Sequence, residues 1–300
     1  MSGYLDERAN LAGKVAAVVG GGGGIGAGVS LALASAGVDV AICDIDTEAM
    51  NETVAAIRSK GRKVTAMTVD ATEEAALDRF YDALERDFSR LDITVNVAGG
   101  TKRQLLADAS RADIARDIQR NYGYVVQSVQ RAAQLIKRSG TGGSIINFTT
   151  IEAHRGAASF SVYAGAKAAT TNFSRSMAVE LGKENIRVNC VVPDTTPSQG
   201  NVNAMPPSFA AGFAKLPPHV QSKGMEMYIP RGQQPPVEAL ADAVLFLASD
   251  LSAFVTGIGL HVDGGTMAAA GFLDWPFSDG FVPIPLAGTL GRMYREGDDA

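Results

Sequence analysis

The chain has 300 residues, of which 46% are hydrophobic and 20% are charged, so it is long enough for one large domain, or two small ones, with a substantial core. This balance is ordinary for a globular protein and disfavours extensive disorder. The formal net charge of −5 argues against a nucleic-acid partner, which would call for a basic surface.

Between Lys14 and Asp39 the chain carries no charge, and this stretch could be mistaken for a membrane span. Five consecutive glycines in its middle would each cost about 1 kcal/mol relative to alanine in a continuous helix, so strand, turn and helix is the favoured interpretation. The N-terminus has no apolar segment of the kind found in signal peptides. We therefore expect neither a membrane partner nor a secretory leader.

The chain has two cysteines, Cys43 and Cys190, and both lie in apolar runs without metal-ligand spacing. They are interpreted as buried, reduced thiols, which are typical of a cytoplasmic protein. His219 and His261 also lack carboxylate or cysteine partners at ligand spacing. No metal site is expected.

Short apolar runs alternate with longer helical patterns along the chain. The runs predict strands at residues 15–19, 38–43, 63–69, 93–97, 144–148, 186–192 and 258–262. The helical patterns lie near residues 24–36, 46–59, 72–88, 110–138, 161–182 and 236–249. This alternation predicts βαβ units, and hence an α/β, doubly wound (Rossmann) fold with a seven-stranded parallel sheet and helices on both faces.

Two segments interrupt the alternation. Residues 195–232 are rich in Pro, Met and Phe and are interpreted as a substrate-binding lid inserted into a domain that spans residues 1–267. Residues 268–300 form a C-terminal tail that contains Phe272, Trp275, Phe277 and Phe281. The tail could close the active site of its own subunit, reach over a neighbouring subunit, or cover an apolar surface patch.

The first predicted strand runs directly into Gly20, Gly24 and Gly26, and a helix follows. Such glycines permit a tight turn and a close backbone approach to a pyrophosphate, which would rest at the positive N-terminus of the helix. The alternative is a flexible strand-to-helix turn without a ligand. The pattern favours a dinucleotide site.

Asp44 ends the second predicted strand, eighteen residues after Gly26. A carboxylate there would accept hydrogen bonds from the adenosine ribose hydroxyls and would repel a 2′-phosphate, which favours NAD over NADP. Alternatively, Asp44 caps the helix that begins in the segment 44–46.

Tyr163 and Lys167 are four residues apart, and Thr150 precedes the tyrosine by thirteen residues. Positions i and i+4 share a face of a helix, so both side chains can enter one cleft. A cation within about 4–6 Å would lower the pKa of the phenol from about 10 and allow it to exchange a proton with a substrate hydroxyl. By itself the pair could equally be a solvated helix edge.

Together these motifs resemble the short-chain dehydrogenase/reductase family in its single-domain form, over about residues 10–268. The family's glycine turn corresponds to Val19, Gly20, Gly24, Ile25 and Gly26. Its adenine-contacting Asp corresponds to Asp70, and its Asn-Asn-Ala-Gly segment to Asn96, Val97, Ala98 and Gly99. Val19 replaces a threonine of the family pattern, and Val97 replaces an asparagine.

The resemblance implies a catalytic group of Asn121, Thr150, Tyr163 and Lys167. It implies that Tyr163 is the acid/base, and that Lys167 lowers its pKa and binds the nicotinamide ribose. Asn121 would support a proton-relaying water chain to Lys167, and Thr150, a serine in the family pattern, would hold the substrate oxygen. Glu152 and His154 fall where the family often lines its substrate cleft, although both could be solvated loop residues.

The family's Pro-Gly segment after the sixth strand corresponds to Pro193 and Asp194. By this resemblance Pro193 and Ser198 are expected near the nicotinamide carboxamide. Asp194 in place of glycine puts the local turn in doubt, although Asp tolerates left-handed backbone better than most residues.

The resulting hypothesis is an NAD(H)-dependent enzyme that interconverts a secondary alcohol and a ketone. The apolar lid and tail suggest a bulky hydrophobic substrate, such as a hydroxysteroid, a terpenoid or a 3-hydroxyacyl thioester. The alternative is a weakly active NAD-binding protein that serves as a redox sensor or scaffold. The resemblance also implies a homotetramer assembled through the long helices near 110–138 and 161–182.

Overall fold

A computed structural model describes residues 3–197, 211–212, 214–274 and 280–283. Seven strands form one parallel sheet in the order β3-β2-β1-β4-β5-β6-β7. They are β1 Val15–Val19, β2 Asp39–Asp44, β3 Val64–Thr68, β4 Ile93–Asn96, β5 Gly143–Phe148, β6 Ile186–Pro193 and β7 Gly259–Val262. The predicted fold class is confirmed.

Helices cover both faces of the sheet. The helices up to β6 are α1 Tyr4–Ala9, α2 Gly24–Ser35, α3 Thr47–Ser59, α4 Glu74–Phe88, α5 Arg111–Ile118, α6 Tyr124–Ser139 and α7 Ser161–Leu181. After β6 come α8 Pro218–Tyr228, α9 Val237–Ala248 and α10 Thr266–Ala269. One buried apolar layer joins the sheet to α2, α3 and α9, and another joins it to α4, α6 and α7. The inner strands β1, β2, β4, β5 and β6 are buried almost throughout because both faces are covered, whereas the edge strands β3 and β7 keep exposed residues.

The predicted helix over residues 110–138 is wrong in one respect, because a π-helical turn at Gln119–Gly123 separates α5 from α6. In this wider turn the carbonyl oxygen of the buried Asn121 accepts a hydrogen bond from the Thr170 hydroxyl of α7 at 3.0 Å. Single π-turns of this kind are frequent at functional sites. The hydrophobic period did not indicate the interruption, because the backbone stays helical from α5 through the π-turn into α6.

The described part of residues 195–232, the segment predicted to be a lid, contains α8. Strand β8, Phe272–Asp274, lies beside α8 and pairs antiparallel with β9, Phe281–Pro283. Trp275 and Phe277 lie outside the described residues. Within the part of the chain that is described, no helix is both long and apolar enough to cross a membrane.

Candidate active site

The candidate site lies at the carboxyl ends of the strands, where the chain order reverses between β1 and β4. Such a switch point opens a crevice between the loops of neighbouring strands. The residues from Gly20, Asp44, Asn96 and Thr150 onward all leave the sheet at this edge. The fold therefore gathers the predicted site residues into one region.

Two glycines of the turn after β1 have no room for a side chain. A Cβ on Gly20, whose φ is +83°, would lie 2.6 Å from the backbone nitrogen of Ala98. A Cβ on Gly26 would lie 1.7 Å from the carbonyl oxygen of Gly20. The turn is thus packed tightly against the end of β4, and it is not a loose connection.

The N-terminus of α2 is suited to an anion. Its N-cap is Gly23, no side chain caps its first amides, and no acidic residue lies in its first turn. The next helix, α3, differs in each respect, because Asp46 caps it and Glu48 lies in its first turn. The uncapped amides at Gly24, Ile25 and Gly26 fit the pyrophosphate of a dinucleotide.

Asp44 stands beside this turn rather than capping a helix. Its Oδ2 accepts a hydrogen bond from the amide of Gly22 at 2.9 Å, and its Oδ1 accepts one from the amide of Asp46 at 3.1 Å. The cap of α3 is Asp46, which accepts from the amides of Glu48 and Ala49. Asp44 keeps acceptor capacity, since a carboxylate has about four lone-pair positions. It can therefore brace the turn and bind ribose hydroxyls together.

Asp70 follows β3 at the same edge and is exposed. Its carboxylate accepts hydrogen bonds from the amide and the hydroxyl of Thr72, at 2.9 and 2.7 Å. The amide of Val69 donates to the carbonyl of Asp44, which brings Asp44 and Asp70 to neighbouring positions. Both carboxylates thus border the region expected to hold the adenosine.

Asn96 is fully buried, and both polar atoms of its side-chain amide have hydrogen-bond partners in the core. It donates to Asn147 Oδ1 at 2.8 Å and accepts from the Ser128 hydroxyl at 2.5 Å. Tyr81 and Ser174 extend this network towards α4 and α7. Its side chain therefore fixes the end of β4 from the core side and does not reach the crevice.

The segment that follows Asn96 shapes the floor of the crevice. The carbonyl of Ala98 accepts a hydrogen bond from the Tyr124 hydroxyl at 2.5 Å. Gly99 has a φ of +150°, and a Cβ there would lie 2.9 Å from Asn121 Oδ1 and 3.2 Å from Lys167 Nζ. Asn121 and Lys167 thus border the same small space.

The π-turn holds Asn121 by every polar atom of its amide. Its Nδ2 donates to the carbonyls of Gly100 and Asp117, at 3.0 and 2.9 Å, and its Oδ1 accepts from the amide of Gly100 at 3.0 Å. The side chain is therefore fixed in position against the loop after β4.

Lys167 is buried to 3% exposure, and its Nζ donates to the carbonyl of Phe148 at 2.8 Å. Burial lowers the pKa of Lys167 to about 8, since desolvation penalises the ammonium. The Cys190 thiol, whose own pKa burial raises to about 11, acts in the opposite direction on the lysine.

Tyr163 and Thr150 lie together. Thr150 precedes a short 3₁₀ turn at Ile151–Ala153, and its hydroxyl acts to lower the pKa of the Tyr163 phenol. Burial, then the charge of Glu152, raises the pKa of Tyr163 above its ordinary value of 10. Desolvation and the Glu152 carboxylate oppose the phenolate, whereas the Thr150 hydroxyl favours it, and a lowering of this pKa by Lys167 stays a prediction.

The charged cluster beside Thr150 could not be predicted from the sequence. The Thr150 hydroxyl donates to Glu152 Oε2, and Arg155 Nη2 donates to Glu152 Oε1 at 2.9 Å. Arg155 Nη2 also donates to the Tyr228 hydroxyl, at 2.6 Å, at the end of α8. No local sequence pattern indicates that Arg155, the partner of Glu152, also binds Tyr228, which is 73 residues further along the chain than Arg155.

Asp194 follows Pro193, the last residue of β6, and is partly buried. Within the described residues its Oδ2 is buried without a hydrogen-bond partner. Burial and the charge of Glu152 raise the pKa of Asp194, while Tyr228 and Arg155 act to lower it. Ser198, the other residue expected near the carboxamide, lies outside the described residues.

His154, two residues after Glu152, lies against a second histidine, His261. The rings of His154 and His261 are 5.3 Å apart, and burial lowers the pKa of His154. Among the described residues no group of three His, Cys, Asp or Glu side chains is arranged to hold a metal ion.

Comparisons with known proteins agree on a family. A family model described as enoyl-(acyl carrier protein) reductase matches residues 20–267. The (3R)-3-hydroxyacyl-CoA dehydrogenase of Canis lupus familiaris is 36% identical over 236 residues, covering 75% of this chain and 85% of that protein.

Two solved structures with bound cofactor are similar. Carveol dehydrogenase from Mycobacterium avium, in complex with NAD, has a TM-score of 0.79 at 28% identity, over 86% of this chain and 98% of that one. A 7α-hydroxysteroid dehydrogenase, with NADH and 7-oxo glycochenodeoxycholic acid, has a TM-score of 0.77 at 30% identity, over 88% and 98% of the two chains.

Proposed function

The chain belongs to the short-chain dehydrogenase/reductase family, and on that premise we propose that it interconverts a bulky hydrophobic secondary alcohol and its ketone with NAD(H), using Tyr163 as acid/base. The family assigns the broader activity, that of an oxidoreductase acting on alcohols or ketones. The observation that carries the finer proposal is the convergence of Thr150, Tyr163, Lys167 and Asn121 on the crevice beside the glycine turn.

The bound nicotinamide would supply or accept the hydride, and the chain would supply orientation and the proton path. The phenol of Tyr163 would give its proton to the carbonyl oxygen in reduction and, as phenolate, take the hydroxyl proton in oxidation. Thr150 would contact the same substrate oxygen. Lys167 and Asn121 both border Gly99. Lys167 would bind the nicotinamide ribose, and Asn121 would support a water chain that relays protons between solvent and Lys167.

The glycine turn, Asp44, Asp70, Ala98, Gly99 and Pro193 would bind the dinucleotide. Asn96 would contribute through the strand end that it fixes. The proposed preference for NAD depends on Asp44, which lies beside the uncapped N-terminus of α2, where a 2′-phosphate would meet its charge. Parallel titrations with NADH and NADPH test this preference, and tighter binding of NADPH would contradict it.

The substrate class is supported by three similar proteins, whose names give a hydroxyacyl-CoA, carveol and a hydroxysteroid. A panel of one hydroxysteroid, one cyclic terpenoid alcohol, one 3-hydroxyacyl thioester and one sugar tests it. Activity confined to the sugar would contradict the hydrophobic class.

Tyr163→Phe tests the acid/base role. We expect the variant to bind NADH as the wild type does and to lose activity by about 10²–10⁴-fold. Equal activity of the variant and the wild type would overturn the assignment. A wild type that binds NADH but oxidises none of the panel would favour the sensor or scaffold instead.

We also propose a cytoplasmic homotetramer. The two cysteines are free and buried, as expected of a reducing compartment. Val179 on α7 is 85% exposed and Ile118 at the end of α5 is 45% exposed, so the helices that would form the contact present apolar side chains. A monomer in light scattering would contradict the assembly.

A further inference from the structure

Arg155 joins two parts of the chain that are 73 residues apart. Its Nη2 donates hydrogen bonds to Glu152 Oε1 at 2.9 Å and to the Tyr228 hydroxyl at 2.6 Å. An Nη atom of arginine has two hydrogens, so both are used. The guanidinium carbon also lies 5.8 Å from the centre of the Tyr228 ring, close enough for a cation–π contact. We call these three residues, Glu152, Arg155 and Tyr228, the clamp.

One end of the clamp lies in the turn that follows Thr150. Glu152 belongs to the 3₁₀ turn Ile151–Ala153, and its Oε2 is hydrogen-bonded to the Thr150 hydroxyl. The side chains of Glu152 and Arg155 are 19% and 36% exposed, so water screens this pair less than an ordinary surface ion pair. The clamp therefore helps to fix the position of the residue proposed to hold the substrate oxygen.

The other end of the clamp is the last residue of α8. None of the residues of α8, all of which are described, is buried, and Val220 is 42% exposed, so apolar packing contributes little to holding this helix. The chain after α8 is anchored, because Ile229 is fully buried and the amide of Arg231 donates to the carbonyl of Gly264 at 3.1 Å. Tyr228 thus lies between a fixed point and an exposed helix, where a polar contact sets the direction of the helix.

The Tyr228 phenol is the neutral partner in this contact. Burial raises the pKa of Tyr228 to about 12, and the neighbouring Asp194 carboxylate, from the loop after β6, acts in the same direction. The phenol therefore keeps its proton at neutral pH and accepts from Arg155 through an oxygen lone pair. A hydrogen bond with a charged donor is stronger than one between neutral groups.

The clamp lies on one side of the crevice. Thr150 and Asp194 follow β5 and β6, whereas the glycine turn and Asp44 follow β1 and β2, on the other side of β4. The end of α8 is thus held beside the residues proposed to meet the substrate, away from those proposed to bind the adenosine.

We propose that Arg155 is a positioning residue that holds the C-terminal end of α8 against the turn after Thr150, and that α8 thereby forms a wall of the substrate side of the crevice. This inference rests on the proposed function. One guanidinium sets two positions, that of the turn beside Thr150 and that of the wall. Because catalysis is sensitive to displacements of about 1 Å, release of this wall weakens substrate binding.

Tyr228→Phe tests the connection with the smallest change. It removes one oxygen, keeps the ring beside Arg155 and leaves the pair of Glu152 and Arg155 in place. With the alcohol of the panel that the wild type turns over, we expect KM to rise about three- to tenfold and kcat to change by less than about twofold. The dissociation constant for NADH should stay within about twofold of the wild-type value.

Arg155→Met removes both hydrogen bonds and leaves Glu152 without its cation, so KM should rise by about tenfold or more. In the double variant, Tyr228→Phe should add no further rise, because the bond that it removes is already lost. Increases in KM that multiply in the double variant, or an unchanged KM in Tyr228→Phe, would overturn the inference.

Arg116→Met is a matched control. Arg116 also pairs with a carboxylate three residues before it, that of Asp113, at 2.8 Å, but it is 56% exposed and the pair lies within α5. Its KM should equal that of the wild type. A rise in KM as large as that of Arg155→Met would show that the effect does not come from the clamp.

Hydrogen exchange follows α8 without catalysis. The backbone amides of α8 should exchange about tenfold faster in Tyr228→Phe and Arg155→Met than in the wild type and Arg116→Met, while those of α9 stay unchanged. Equal exchange of α8 in all four proteins would overturn the inference whatever the kinetics. If the wild type oxidises no alcohol of the panel, the proposed function fails, and exchange alone decides whether the clamp holds α8. Should Arg155→Met fold poorly, Tyr228→Phe gives the same answer.

Discussion

The Nζ atom of Lys167 donates to the carbonyl oxygen of Phe148 at 2.8 Å, at the end of β5 and almost without exposure to solvent. One neutral acceptor compensates only part of the desolvation of an ammonium, which is why burial lowers the pKa of this lysine to about 8. The site therefore holds this cation at a cost in folding free energy, as functional sites often do.

Lys167→Met should raise the free energy of unfolding at pH 7 while abolishing activity. The shift in pKa from 10.5 to about 8 sets an upper bound of about 3 kcal/mol on the gain. Urea unfolding of both proteins at pH 7 measures it. A variant less stable than the wild type would show that the bond to Phe148 outweighs desolvation.

The stability difference between these two proteins should shrink as the pH rises from 7 to 10. Between pH 8 and 10.5 the lysine is neutral in the folded state but still protonated in the unfolded state, so unfolding takes up a proton and higher pH favours the folded wild type. Buried groups with a raised pKa that are not coupled to Lys167, such as the Tyr81 phenol and the Cys43 thiol, act in the opposite direction in both proteins and cancel in the difference. A difference that stays constant from pH 7 to 10 would contradict the assignment.

Gly26→Ala should prevent correct folding of the turn, whereas Gly23→Ala should be tolerated. A Cβ on Gly26 would lie 1.7 Å from the carbonyl oxygen of Gly20, but one on Gly23 would meet only Ala49 Cβ at 3.6 Å, an ordinary contact. We expect a loss of several kcal/mol for the first and less than about 1 kcal/mol for the second. Thermal unfolding of the pair checks this, and equal melting temperatures would refute the packing argument.

Asn96→Ala should destabilise the fold by roughly 2–4 kcal/mol, because the Ser128 hydroxyl and the side-chain Oδ1 of Asn147 would both lose a buried partner. The protein that remains folded should still bind NADH, with a loss of affinity that is small beside the loss of stability, because Asn96 acts only through the strand end that it fixes. Calorimetric titration at low temperature, alongside urea unfolding, measures the two effects. A large loss of affinity with normal stability would instead place the amide of Asn96 at the cofactor.

Asp44→Ala should weaken NADH binding by about tenfold or more, because it removes both the proposed acceptor for the ribose and the hydrogen bond to the Gly22 amide. The difference between the affinities for NADH and NADPH should become smaller. Asp46→Ala is the control, since it removes the cap of α3 at a cost of about 1 kcal/mol without touching the turn. Fluorescence titrations with both dinucleotides test the pair. A greater loss of NADH affinity in the Asp46 variant than in the Asp44 variant would contradict the role proposed for Asp44.

The order of strands and helices could be predicted from the sequence because each depends on a local pattern. The strand at Val15–Val19 and the helix Gly24–Ser35 differ from their predicted limits by at most one residue, since a buried apolar run and a glycine turn mark them. The helix at Pro218–Tyr228 was missed, because its pattern is irregular and it lies within a proline-rich segment interpreted only as a lid.

By itself the sequence determined the α/β class, the glycine turn and the spacing of Tyr163 and Lys167, all of which depend on residues within about one turn or one strand of each other. Only the tertiary structure decided what surrounds those groups. The Lys167 ammonium meets Phe148, and Glu152 is clamped by an arginine that also binds Tyr228. A pKa depends on desolvation and on charges brought from distant parts of the chain, so the direction of the shift at Tyr163 could not be obtained from a four-residue spacing.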